Sequence, residues 1–596
     1  MNKIDMEHKE FLDEKAFRQF FDKEAEEEKK SWEELMSKKL GERVLKRKAI
    51  AHVTIVNDRF ELDMQTCYYQ YTIAFPHNYS DFKVGEKVVL HDQYCKTGLE
   101  SEIVEICDDN TMKLQVHPYN YSGTESRYFG KKLQLDKALV DLRRYVYDPF
   151  MYKIVSDPSL LKKSILNTLE APKYTPLDES VTKKVEAVIE GENFTEKQKE
   201  AIYKCLEADN YYLVQGPPGS GKSQMLAFMI AMEAAFKGKK VLIVGPNHLA
   251  INNLLEKVLG IAPLLSGILF KIGQWYNAPK ATVDYEGEPH MVYNIDFKAT
   301  DALNTIISHW VVGTTPHALY SSRAEGLKCD TVVIDEAGQM SIPLAQMAML
   351  SGKKVIMVGD HKQLPPIIRS EELPDDMKCS AFERLYSAEN CTTLDKSFRM
   401  CRPICDFVSE IFYDGELQSA KAKSDNEFIE SGNPLLSFDA PIVALNVVHS
   451  GKQDSKEEAK EVAEIVKQYI NKGITADRIG ILVPFRAQAA CIRRTLRKSN
   501  DLELDSLNDL VVDTIDKMQG QEREIIIVSL TAGDAEYVAD MSDFLYKPNK
   551  LNVAFSRAKS KLIIVGNFDE ISKINKEENP HIAKILNSER IAWINA

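Results

Sequence analysis

The chain lacks the features of several specialised classes of protein. Its ten cysteines form no CxxC pair, and the close pair Cys401 and Cys405 has no histidine or further cysteine at zinc-finger spacing. Nowhere do about 18 apolar residues run together, and the charged amino terminus does not resemble a secretory signal. We therefore expect reduced thiols in a cytoplasmic protein with no membrane-spanning segment.

An excess of positive charge is also missing. The 596 residues include 76 lysines and arginines against 89 aspartates and glutamates, which gives a formal net charge of −13. No global positive field attracts polyanions, so any nucleic-acid binding must use a local basic groove. The 44% apolar and 28% charged residues are typical of a soluble folded protein, and the length suggests about four domains.

The hydrophobic pattern changes along the chain. Residues 5–48 carry apolar side chains at near-helical intervals among many charges, which predicts one or two long amphipathic helices. A solvated helix or a coiled coil would fit as well, but the heptad is irregular, so we expect packing on another part of the chain. Short β-branched and aromatic bursts after residue 48 predict a small antiparallel barrel, and residues 137–170 return to a helical pattern. Beyond residue 180, apolar strands such as TVVIDE and REIIIVSL alternate with helices, which indicates buried parallel sheets in two blocks.

A glycine-rich loop stands in the context that phosphate binding requires. The segment YYLVQGPPGSGKSQMLAFMI places Gly216-x4-Gly221-Lys222-Ser223 between an apolar strand and an apolar helix. Backbone amides of such a loop turn towards phosphate oxygens, and the helix amino terminus adds partial positive charge. Lys222 is predicted to contact the β and γ phosphates, and the Ser223 hydroxyl to bind Mg²⁺. The nucleotide-binding loop comprises Gly216, Pro217, Pro218, Gly219, Ser220, Gly221, Lys222 and Ser223.

Two adjacent carboxylates end another buried strand, TVVIDE. A carboxylate at this position can hold hydrated Mg²⁺, while its neighbour orients or deprotonates the attacking water. We assign the metal role to Asp335 and the role of general base to Glu336. Strand ends are commonly charged, so this pair gains its meaning from the glycine-rich loop. Together the two motifs predict a nucleoside triphosphatase, without saying what the hydrolysis drives.

Further motifs follow in a fixed order. After FTEKQKEAI (194–202) and the glycine-rich loop come GDHKQLPP (359–366), LDKSFRM (394–400), VPFRAQ (483–488), TIDKMQGQERE (514–524) and LNVAFSRAK (551–559). This ordered set resembles the motifs of superfamily 1 helicases, in the group that contains the nonsense-mediated-decay helicase and the immunoglobulin mu-binding-protein helicase. The helix EKKSWEELMSKKLGERV with the barrel after it also looks like the stalk-and-barrel insertion of this group.

The resemblance implies an α/β architecture of two RecA-like P-loop domains with parallel sheets, plus an inserted small β-barrel on a helical stalk. The implied divisions are a helical stalk at 1–50, the barrel at 51–136, returning stalk helices at 137–175, the first RecA-like domain at 176–384 and the second at 385–596. No Cys/His-rich regulatory domain is visible, and we expect a bare motor core.

The resemblance also implies which residues hold the base and sugar of ATP. Gln198 matches the glutamine that pairs with the adenine edge, as a carboxamide can. Phe398 falls where the family has an aromatic residue that stacks on the base; tyrosine is usual there, so stacking is kept and the hydroxyl is lost. Glu522 matches a ribose contact.

Hydrolysis is implied to need both domains. Gln363 matches the residue that senses the γ-phosphate and the attacking water, and Arg399 and Arg557 match two arginine fingers of the second domain. A finger is worth about 10³ to 10⁵ in rate, so hydrolysis would depend on closure of the cleft between the domains. Outside these motifs, either arginine would be expected to form a surface salt bridge.

A nucleic-acid track is implied along residues 244–254, 311–319, 483–488 and 514–520, and at Pro365. Small polar side chains there suit phosphate and sugar, and apolar ones suit bases, with about 1 to 3 kcal/mol per stacked base. The track residues are Asn247, His248, Thr314, Thr315, Pro365, Pro484, Phe485 and Thr514. His248 stands where the family usually has asparagine, and Asn252 where it has aspartate. The basic helix after VPFRAQ is either a solvated face or a phosphate-contacting patch.

The sequence therefore predicts an ATP- and Mg²⁺-dependent helicase or translocase that acts on single-stranded DNA or RNA, with 5′ to 3′ movement implied by the family. We expect a monomeric motor. One alternative is an ATP-gated clamp or ribonucleoprotein remodeller that does not separate strands. Another is a P-loop signalling switch or kinase, against which the second-domain arginines and GDHKQLPP argue.

Overall fold

The computed structural model describes residues 9–595, apart from 58, 65–67, 79, 81, 83–85, 93–97, 109, 117–120, 122, 124, 274–280, 296–297, 322, 422–431, 438, 499–506, 508 and 519. Cys67 and Cys95 lie outside the described residues. The other cysteines are free thiols, and most of them are buried. No helix in the part of the chain that is described is long and apolar enough to cross a bilayer.

The amino-terminal helix packs on helices that follow the barrel. The stalk helices are α1 (Glu14–Met36), α2 (Leu40–Leu45), α3 (Asp148–Ser156), α4 (Ser159–Lys162) and α5 (Ile165–Thr168). α1 buries Phe17, Phe20 and Phe21, and the Phe21 ring stacks on Tyr147 with centroids 4.3 Å apart. These aromatic side chains belong to the same core as one face of the first α/β unit, so the stalk is anchored on that unit.

The barrel between the stalk helices is closed. Its described strands are β1 (Ala49–Ile55), β2 (Glu61–Leu62), β3 (Tyr69–Ala74), β4 (Lys87–His91), β5 (Leu99–Asp108), β6 (Thr111–Val116) and β7 (Leu133–Lys137). They pair antiparallel in the order β1-β7-β4-β5-β6-β3, and β1 pairs with β3 to close the ring, while β2 extends β3. Alternate side chains point inward to a separate apolar core. The predicted barrel is confirmed.

The first α/β unit is built on a parallel sheet. Its described strands, with a small hairpin formed by β11 and β12, are β8 (Tyr211–Gln215), β9 (Lys240–Val244), β10 (Leu269–Ile272), β11 (Thr282–Tyr285), β12 (Glu288–Met291), β13 (Tyr293–Ile295), β14 (Trp310–Thr314), β15 (Thr331–Asp335), β16 (Lys354–Gly359) and β17 (Cys391–Thr393). The sheet order is β13-β10-β14-β9-β15-β16-β8-β17. Its edge strand β17 lies beyond residue 384, where the sequence predicts the domain to end.

Helices cover both faces of this sheet. They are α6 (Glu179–Glu190), α7 (Glu196–Glu207), α8 (Lys222–Ala235), α9 (His248–Ile261), α10 (Pro316–Leu319), α11 (Ile342–Met349), α12 (Asp375–Lys378) and α13 (Ala381–Leu385). Along β8, Tyr211 and Leu213 join one apolar core while Tyr212 and Val214 join another. Strands with both faces buried need the continuous apolar runs that the sequence has.

The second α/β unit repeats this design. Its described strands are β18 (Lys396–Ser397), β19 (Gln418–Ser419), β20 (Ile442–Asn446), β21 (Ile479–Val483), β22 (Val511–Thr514), β23 (Arg523–Ser529), β24 (Ala558–Gly566) and β25 (Ala592–Asn595). Its helices are α14 (Arg402–Phe412), α15 (Lys456–Asn471), α16 (Arg486–Lys498), α17 (Ala535–Asp540), α18 (Ser542–Leu545), α19 (Pro548–Phe555), α20 (Phe568–Ile571) and α21 (Pro580–Leu586). The parallel sheet runs β22-β21-β23-β24-β20-β25, which confirms the predicted α/β fold class.

The sheet order positions the site. In parallel sheets, loops at the carboxyl ends of neighbouring strands lie side by side. In the first unit β15, β16 and β8 are neighbours, so Asp335, the loop after Gly359 and the glycine-rich loop share one edge. β9 and β14 lie farther along the same edge and end at the predicted nucleic-acid residues.

Candidate functional site

The glycine-rich loop forms a cradle between β8 and α8. Gly219 and Gly221 both have φ of +73°, a left-handed conformation that favours glycine. A Cβ atom on Gly216 would lie 2.7 Å from Cβ of Lys222, so the loop can close this tightly only without a side chain there. The Ser220 hydroxyl is buried and has no hydrogen-bond partner among the described residues. A cradle of amides with an unsatisfied hydroxyl fits a phosphate group.

The predicted lysine and acids meet beside this cradle. Lys222 Nζ lies 2.8 Å from Glu336 Oε1, and Gln339 Nε2 donates to Glu336 Oε2 over 3.2 Å. Burial raises the pKa of Glu336, but Lys222, together with Arg557 and Gln339, holds that pKa below its ordinary value. Burial, and then the Glu336 charge, raise the pKa of Asp335 to about 6. The pair thus has one carboxylate held ionised by a lysine.

Glu336 is also held in an unusual backbone conformation. Its φ is +54°, in the left-handed region that residues with a side chain seldom adopt. Such strain persists only where the surroundings impose it, and it occurs often at functional sites. The conformation turns the chain sharply after β15, so that successive residues Asp335 and Glu336 both reach the edge of the sheet that carries Lys222.

The donor set fits a bound Mg²⁺ ion. Ser223 at the start of α8 and Asp335 at the end of β15 supply hydroxyl and carboxylate oxygens, the hard ligands that this ion prefers. Two protein oxygens suffice for Mg²⁺, because it keeps several waters and takes its other ligands from phosphates. The unsatisfied Ser220 hydroxyl in the same loop marks space for those phosphates.

The second unit contacts the glycine-rich loop directly. The Phe398 amide donates to the Gly219 carbonyl over 2.8 Å, and Ser397 Oγ donates to the Pro218 carbonyl over 2.9 Å. A Cβ atom on Gly219 would lie only 2.5 Å from Cβ of Arg399. Segment 397–399 therefore covers the loop, and the two units form one cleft with the loop at its centre.

Gln198 and Phe398 flank the same glycine. Gln198 Oε1 accepts from the Thr195 amide over 2.9 Å at the start of α7, and Nε2 donates to the Ser220 carbonyl over 3.0 Å. These two bonds fix the orientation of the carboxamide and leave one acceptor and one donor position unused. A Cβ atom on Gly221 would lie 2.8 Å from Gln198 Nε2 and 3.8 Å from the Phe398 ring. The ring is 42% exposed, which leaves a face for stacking.

Arg399 is paired with the predicted ribose contact. Arg399 Nε lies 2.6 Å from Glu522 Oε2, and Lys559 Nζ lies 3.0 Å from Glu522 Oε1. Burial opposes ionisation of Glu522, but these two cations outweigh burial and lower its pKa to about 2. Glu522 thus holds Arg399 next to the glycine-rich loop.

Arg557 lies deeper in the cleft and is 2% exposed. Its Nη2 donates to Gln363 Oε1 over 3.4 Å, and its Nε donates to the Val553 carbonyl over 3.0 Å. Burial, and then the charge of Arg399, lower the pKa of Arg557 to about 9, while Glu336 acts on it from across the cleft. A buried cation of this kind gains most from an anion such as a triphosphate.

The predicted track residues of the first unit lie at neighbouring strand ends. Asn247 Oδ1 accepts from the Ala250 amide over 2.9 Å at the start of α9, and Thr315 Oγ1 accepts from the Ala318 amide over 3.3 Å at the start of α10. Both side chains are therefore helix caps. Thr314 is fully buried, and its hydroxyl has no partner within the described residues.

Among the predicted track residues, His248 fits the role of a nucleic-acid backbone contact least well, because its ring is bound to a buried lysine. Its Nδ1 lies 2.9 Å from Nζ of the buried Lys271. Burial, and then the lysine charge, lower the pKa of His248 to about 4, so the ring stays neutral and accepts the bond. Burial also lowers the pKa of Lys271 to about 7. Lys271 is not recognisable from the sequence, since a lysine inside a buried strand contradicts the apolar pattern by which such strands are found.

The track residues of the second unit follow two neighbouring strands. Pro484 and Phe485 come after β21, and Thr514 ends β22. The Phe485 ring stacks on Phe544 with centroids 5.7 Å apart. Pro365 of the first unit is exposed. On α16, Arg493 donates to the backbone of Val512, while the remaining basic side chains, those of Arg486, Arg494, Arg497 and Lys498, are exposed.

Comparisons with known proteins agree with this architecture. Two family models, each described as an AAA domain, match the chain, one at residues 193–271 and 296–371 and the other at 377–569. Together they span more than half of the chain, over both α/β units. The chain belongs to the superfamily 1 helicases, in the group of the nonsense-mediated-decay helicase and the DNA replication helicase/nuclease.

Two relatives illustrate this membership. The DNA replication ATP-dependent helicase/nuclease of Schizosaccharomyces pombe is 24% identical over 90% of this chain and 40% of its own length. An uncharacterized ATP-dependent helicase of Methanocaldococcus jannaschii is 25% identical over 65% of this chain and 70% of its own. This chain thus spans less than half of the first relative. Among solved structures, the arterivirus nonstructural protein 10 (helicase) matches 82% of this chain and 77% of its own at 12% identity, and its TM-score of 0.35 is too low to guide residue roles.

Proposed function

We propose that the protein hydrolyses ATP with Mg²⁺ when it holds single-stranded nucleic acid, and that it uses the energy to move along or unwind the strand. The observation that carries this proposal is the contact of segment 397–399 with the glycine-rich loop at Gly219. A triphosphate in that loop lies between acids and lysine from one unit and arginines from the other. Movement from 5′ to 3′ rests on the family resemblance alone.

Phosphate binding is the first proposed step. The loop amides and Lys222 bind the β and γ phosphates, and Ser223 and Asp335 would hold the metal ion. When bound, Mg²⁺ neutralises charge on the phosphate oxygens. Gln198 and Phe398 hold the base, and Glu522 contacts the ribose.

Activation of Glu336 follows from the competition for Lys222. In the structure Lys222 pairs with Glu336 and lowers its pKa. Once the γ-phosphate takes over Lys222, burial, which is already the largest influence on Glu336, is opposed less strongly, and the pKa of Glu336 rises. A carboxylate of higher pKa is a better proton acceptor, so phosphate binding itself prepares the general base to deprotonate water. Gln363 orients that water.

Arg399 and Arg557 stabilise the charge that develops on the transferred phosphoryl group. Both belong to the second unit, so the rate depends on a closed cleft. Release of phosphate removes the anion that attracts the arginines of the second unit towards the first and lets the units separate. Alternating closure and opening over the track moves the protein along the backbone.

The test compares ATP hydrolysis with and without single strands. Because the fission-yeast relative is named for DNA replication, DNA oligonucleotides are the first to try, beside RNA of the same sequence at two salt concentrations. We expect stimulation of phosphate release by single strands, and its loss in Lys222→Ala. Lys183→Ala, which removes an exposed ion pair with Glu179 on α6, is the matched control. Hydrolysis unaffected by strands would contradict the proposal and favour a P-loop switch.

A forked duplex separates the helicase from the ATP-gated clamp or remodeller. The helicase releases a strand from the fork at the expense of ATP, whereas a clamp hydrolyses ATP and releases none. The division at residues 50, 136, 175 and 384, the cytoplasmic location and the monomeric state stay predictions.

A further inference from the structure

The loop that follows β16 in the first unit is hydrogen-bonded to the second unit across the cleft. Asn549 Nδ2 donates to the carbonyl oxygens of His361, over 3.0 Å, and of Gln363. Asn552 Nδ2 donates to the carbonyl of Lys362 over 2.7 Å. Both asparagines project from α19 of the second unit, so three successive carbonyls of a first-unit loop are bound by one second-unit helix.

The next residue strengthens this grip. The Leu364 side chain belongs to the buried core of the second unit, together with Met400 and Met518, although the strand before its loop, β16, belongs to the first sheet. An apolar side chain taken from water into a neighbouring core resists withdrawal. Residues 361–364, which we call the sensor loop because Gln363 lies in it, are thus attached to the second unit by both polar and apolar contacts.

A tyrosine ties the root of the sensor loop to the same helix. Tyr413 Oη donates to Asp360 Oδ2 over 2.5 Å and accepts from Asn552 Nδ2 over 2.8 Å. Tyr413 is 4% exposed, Asp360 3% and Asn552 0%, so water does not compete for these bonds. Burial, and then Asp360, raise the pKa of Tyr413 well above its ordinary value, which keeps the hydroxyl a donor.

Asp360 carries the connection into the first unit. Gln215 Nε2 donates to Asp360 Oδ1 over 3.2 Å, and Gln363 Nε2 donates to Asp360 Oδ2 over 2.8 Å. Gln215 directly precedes Gly216 of the glycine-rich loop. A continuous chain of buried hydrogen bonds therefore runs from the base of that loop, through Asp360 and Tyr413, to α19.

The helix at the far end of this chain also carries the arginine finger. α19 ends at Phe555, two residues before Arg557, and Arg557 Nε donates back to the Val553 carbonyl over 3.0 Å. Arg557 Nη2 in turn reaches Gln363 Oε1 over 3.4 Å. The Gln363 carboxamide is therefore held on one side by Asp360 and on the other by the guanidinium.

We infer that Tyr413 and Asn552 are positioning residues of the ATP site, which couple Gln363 to Arg557 so that the two side chains arrive at the γ-phosphate together. The inference rests on the proposed function. Neither residue touches the nucleotide; each acts through Asp360 and the sensor loop. A misplacement of a reacting group by about 1 Å can cost about 10²-fold in rate. The hydrogen bonds of Tyr413 and Asn552 across the cleft are therefore expected to affect the turnover of ATP rather than its binding.

Tyr413→Phe tests this with the smallest change, since it removes only the hydroxyl. We expect kcat of strand-stimulated ATP hydrolysis to fall about tenfold or more, as for loss of a hydrogen bond to a charged group, while KM for ATP changes less than twofold. Tyr469→Phe is the matched control. Tyr469 is a buried tyrosine of the same unit whose hydroxyl donates to the Leu435 carbonyl over 2.5 Å, away from the cleft. It loses a comparable bond and is expected to keep wild-type kcat.

A double-mutant comparison separates positioning from mere support of the fold. If Tyr413 acts through Gln363, Tyr413→Phe costs little further in a Gln363→Ala background. Asn549→Ala, at a half-buried position, weakens the same grip and is expected to lower kcat without changing KM. Thermal unfolding of each variant checks that it is folded.

Two results would overturn the inference. One is a wild-type kcat in Tyr413→Phe. The other is a Tyr413→Phe substitution that lowers kcat by the same factor whether residue 363 is glutamine or alanine. Failure of the proposed function is distinguishable, because it would appear as wild-type hydrolysis that single strands do not stimulate, or as a Lys222→Ala variant that hydrolyses ATP normally. If Lys222→Ala is inactive and Tyr413→Phe turns over normally, the inference alone is wrong.

Discussion

The ATP cleft and the nucleic-acid track are built in different ways. In the cleft, charged side chains are partly buried and bound to one another, as Lys222 is to Glu336 and Arg399 to Glu522. In the track, Asn247 and Thr315 cap helices. A site that stabilises developing charge needs particular charges in particular places. A site that holds a repeating backbone needs correctly placed strand and helix ends, and it tolerates more variation in the side chains.

The largest expected effect is in the cleft. Arg557→Ala removes a cation that is worth about 10³ to 10⁵ in the rate of phosphoryl transfer, so we expect strand-stimulated hydrolysis to disappear while strand binding persists. Phosphate release and fluorescence anisotropy of a labelled strand measure the two properties. Arg590→Ala, which breaks an exposed ion pair with Glu410 of α14, is the control. Equal losses of hydrolysis and strand binding would show that Arg557 supports the fold rather than the reaction.

Glu336→Gln is expected to have the next largest effect. The change keeps the shape and removes the proton acceptor, so kcat falls about 10² to 10⁴-fold. Binding of ATP is kept or strengthened, because the buried carboxylate no longer competes for Lys222. Single-turnover hydrolysis and nucleotide binding by fluorescence separate the two. Normal turnover by this variant would refute the assignment of Glu336 as general base.

In the track, Phe485→Ala is expected to weaken single-strand binding. Loss of one stacked base costs about 1 to 3 kcal/mol, or about 5 to 150-fold in Kd. Phe485→Leu is the companion variant, since it keeps apolar contact with Phe544 and loses aromatic stacking. Hydrolysis at saturating strand concentration should stay near the wild-type level in both. A wild-type Kd for Phe485→Ala would remove this residue from the track.

The smallest expected effect separates the two roles of Asn247. Its Oδ1 caps α9, which leaves its Nδ2 to contact a phosphate. Asn247→Asp keeps the cap, because aspartate caps helices as well as asparagine does, and the free energy of unfolding should not fall. Strand affinity should drop about tenfold, since a donor is replaced by a negative charge. Unchanged affinity would mean that Asn247 serves the helix alone.

Much of the fold follows from local sequence patterns, and the strands that such patterns do not predict have physical reasons to differ. Strands buried on both faces, such as β15 and β23, are recognisable because their central residues, VVI and IIIV, form continuous apolar runs. β10 contains the buried Lys271, and β17 is a three-residue edge strand of sequence CTT, so neither has that pattern. Both are strands because neighbours in the sheet supply hydrogen bonds, which no local pattern records.

The residues of the cleft likewise differ in whether their roles can be read from the sequence. Lys222 and Glu336 lie in short motifs whose chemistry is readable from residue type and spacing, and the structure brings them within 2.8 Å of each other. Asn552 lies in a motif, but its part in holding the sensor loop is not readable there. Tyr413 carries no signal, since a tyrosine at the end of an amphipathic helix is ordinary in a core.

The sequence by itself determined the fold class, the phosphate-binding loop and the residues able to act in hydrolysis, because strand burial and phosphate binding impose local requirements on the chain. Only the tertiary structure decided which side chains from the two α/β units meet, for example that Tyr413 reaches Asp360 over 2.5 Å. Such contacts join residues about 50 or more positions apart, and their distances depend on how two sheets and their helices pack, not on any one segment.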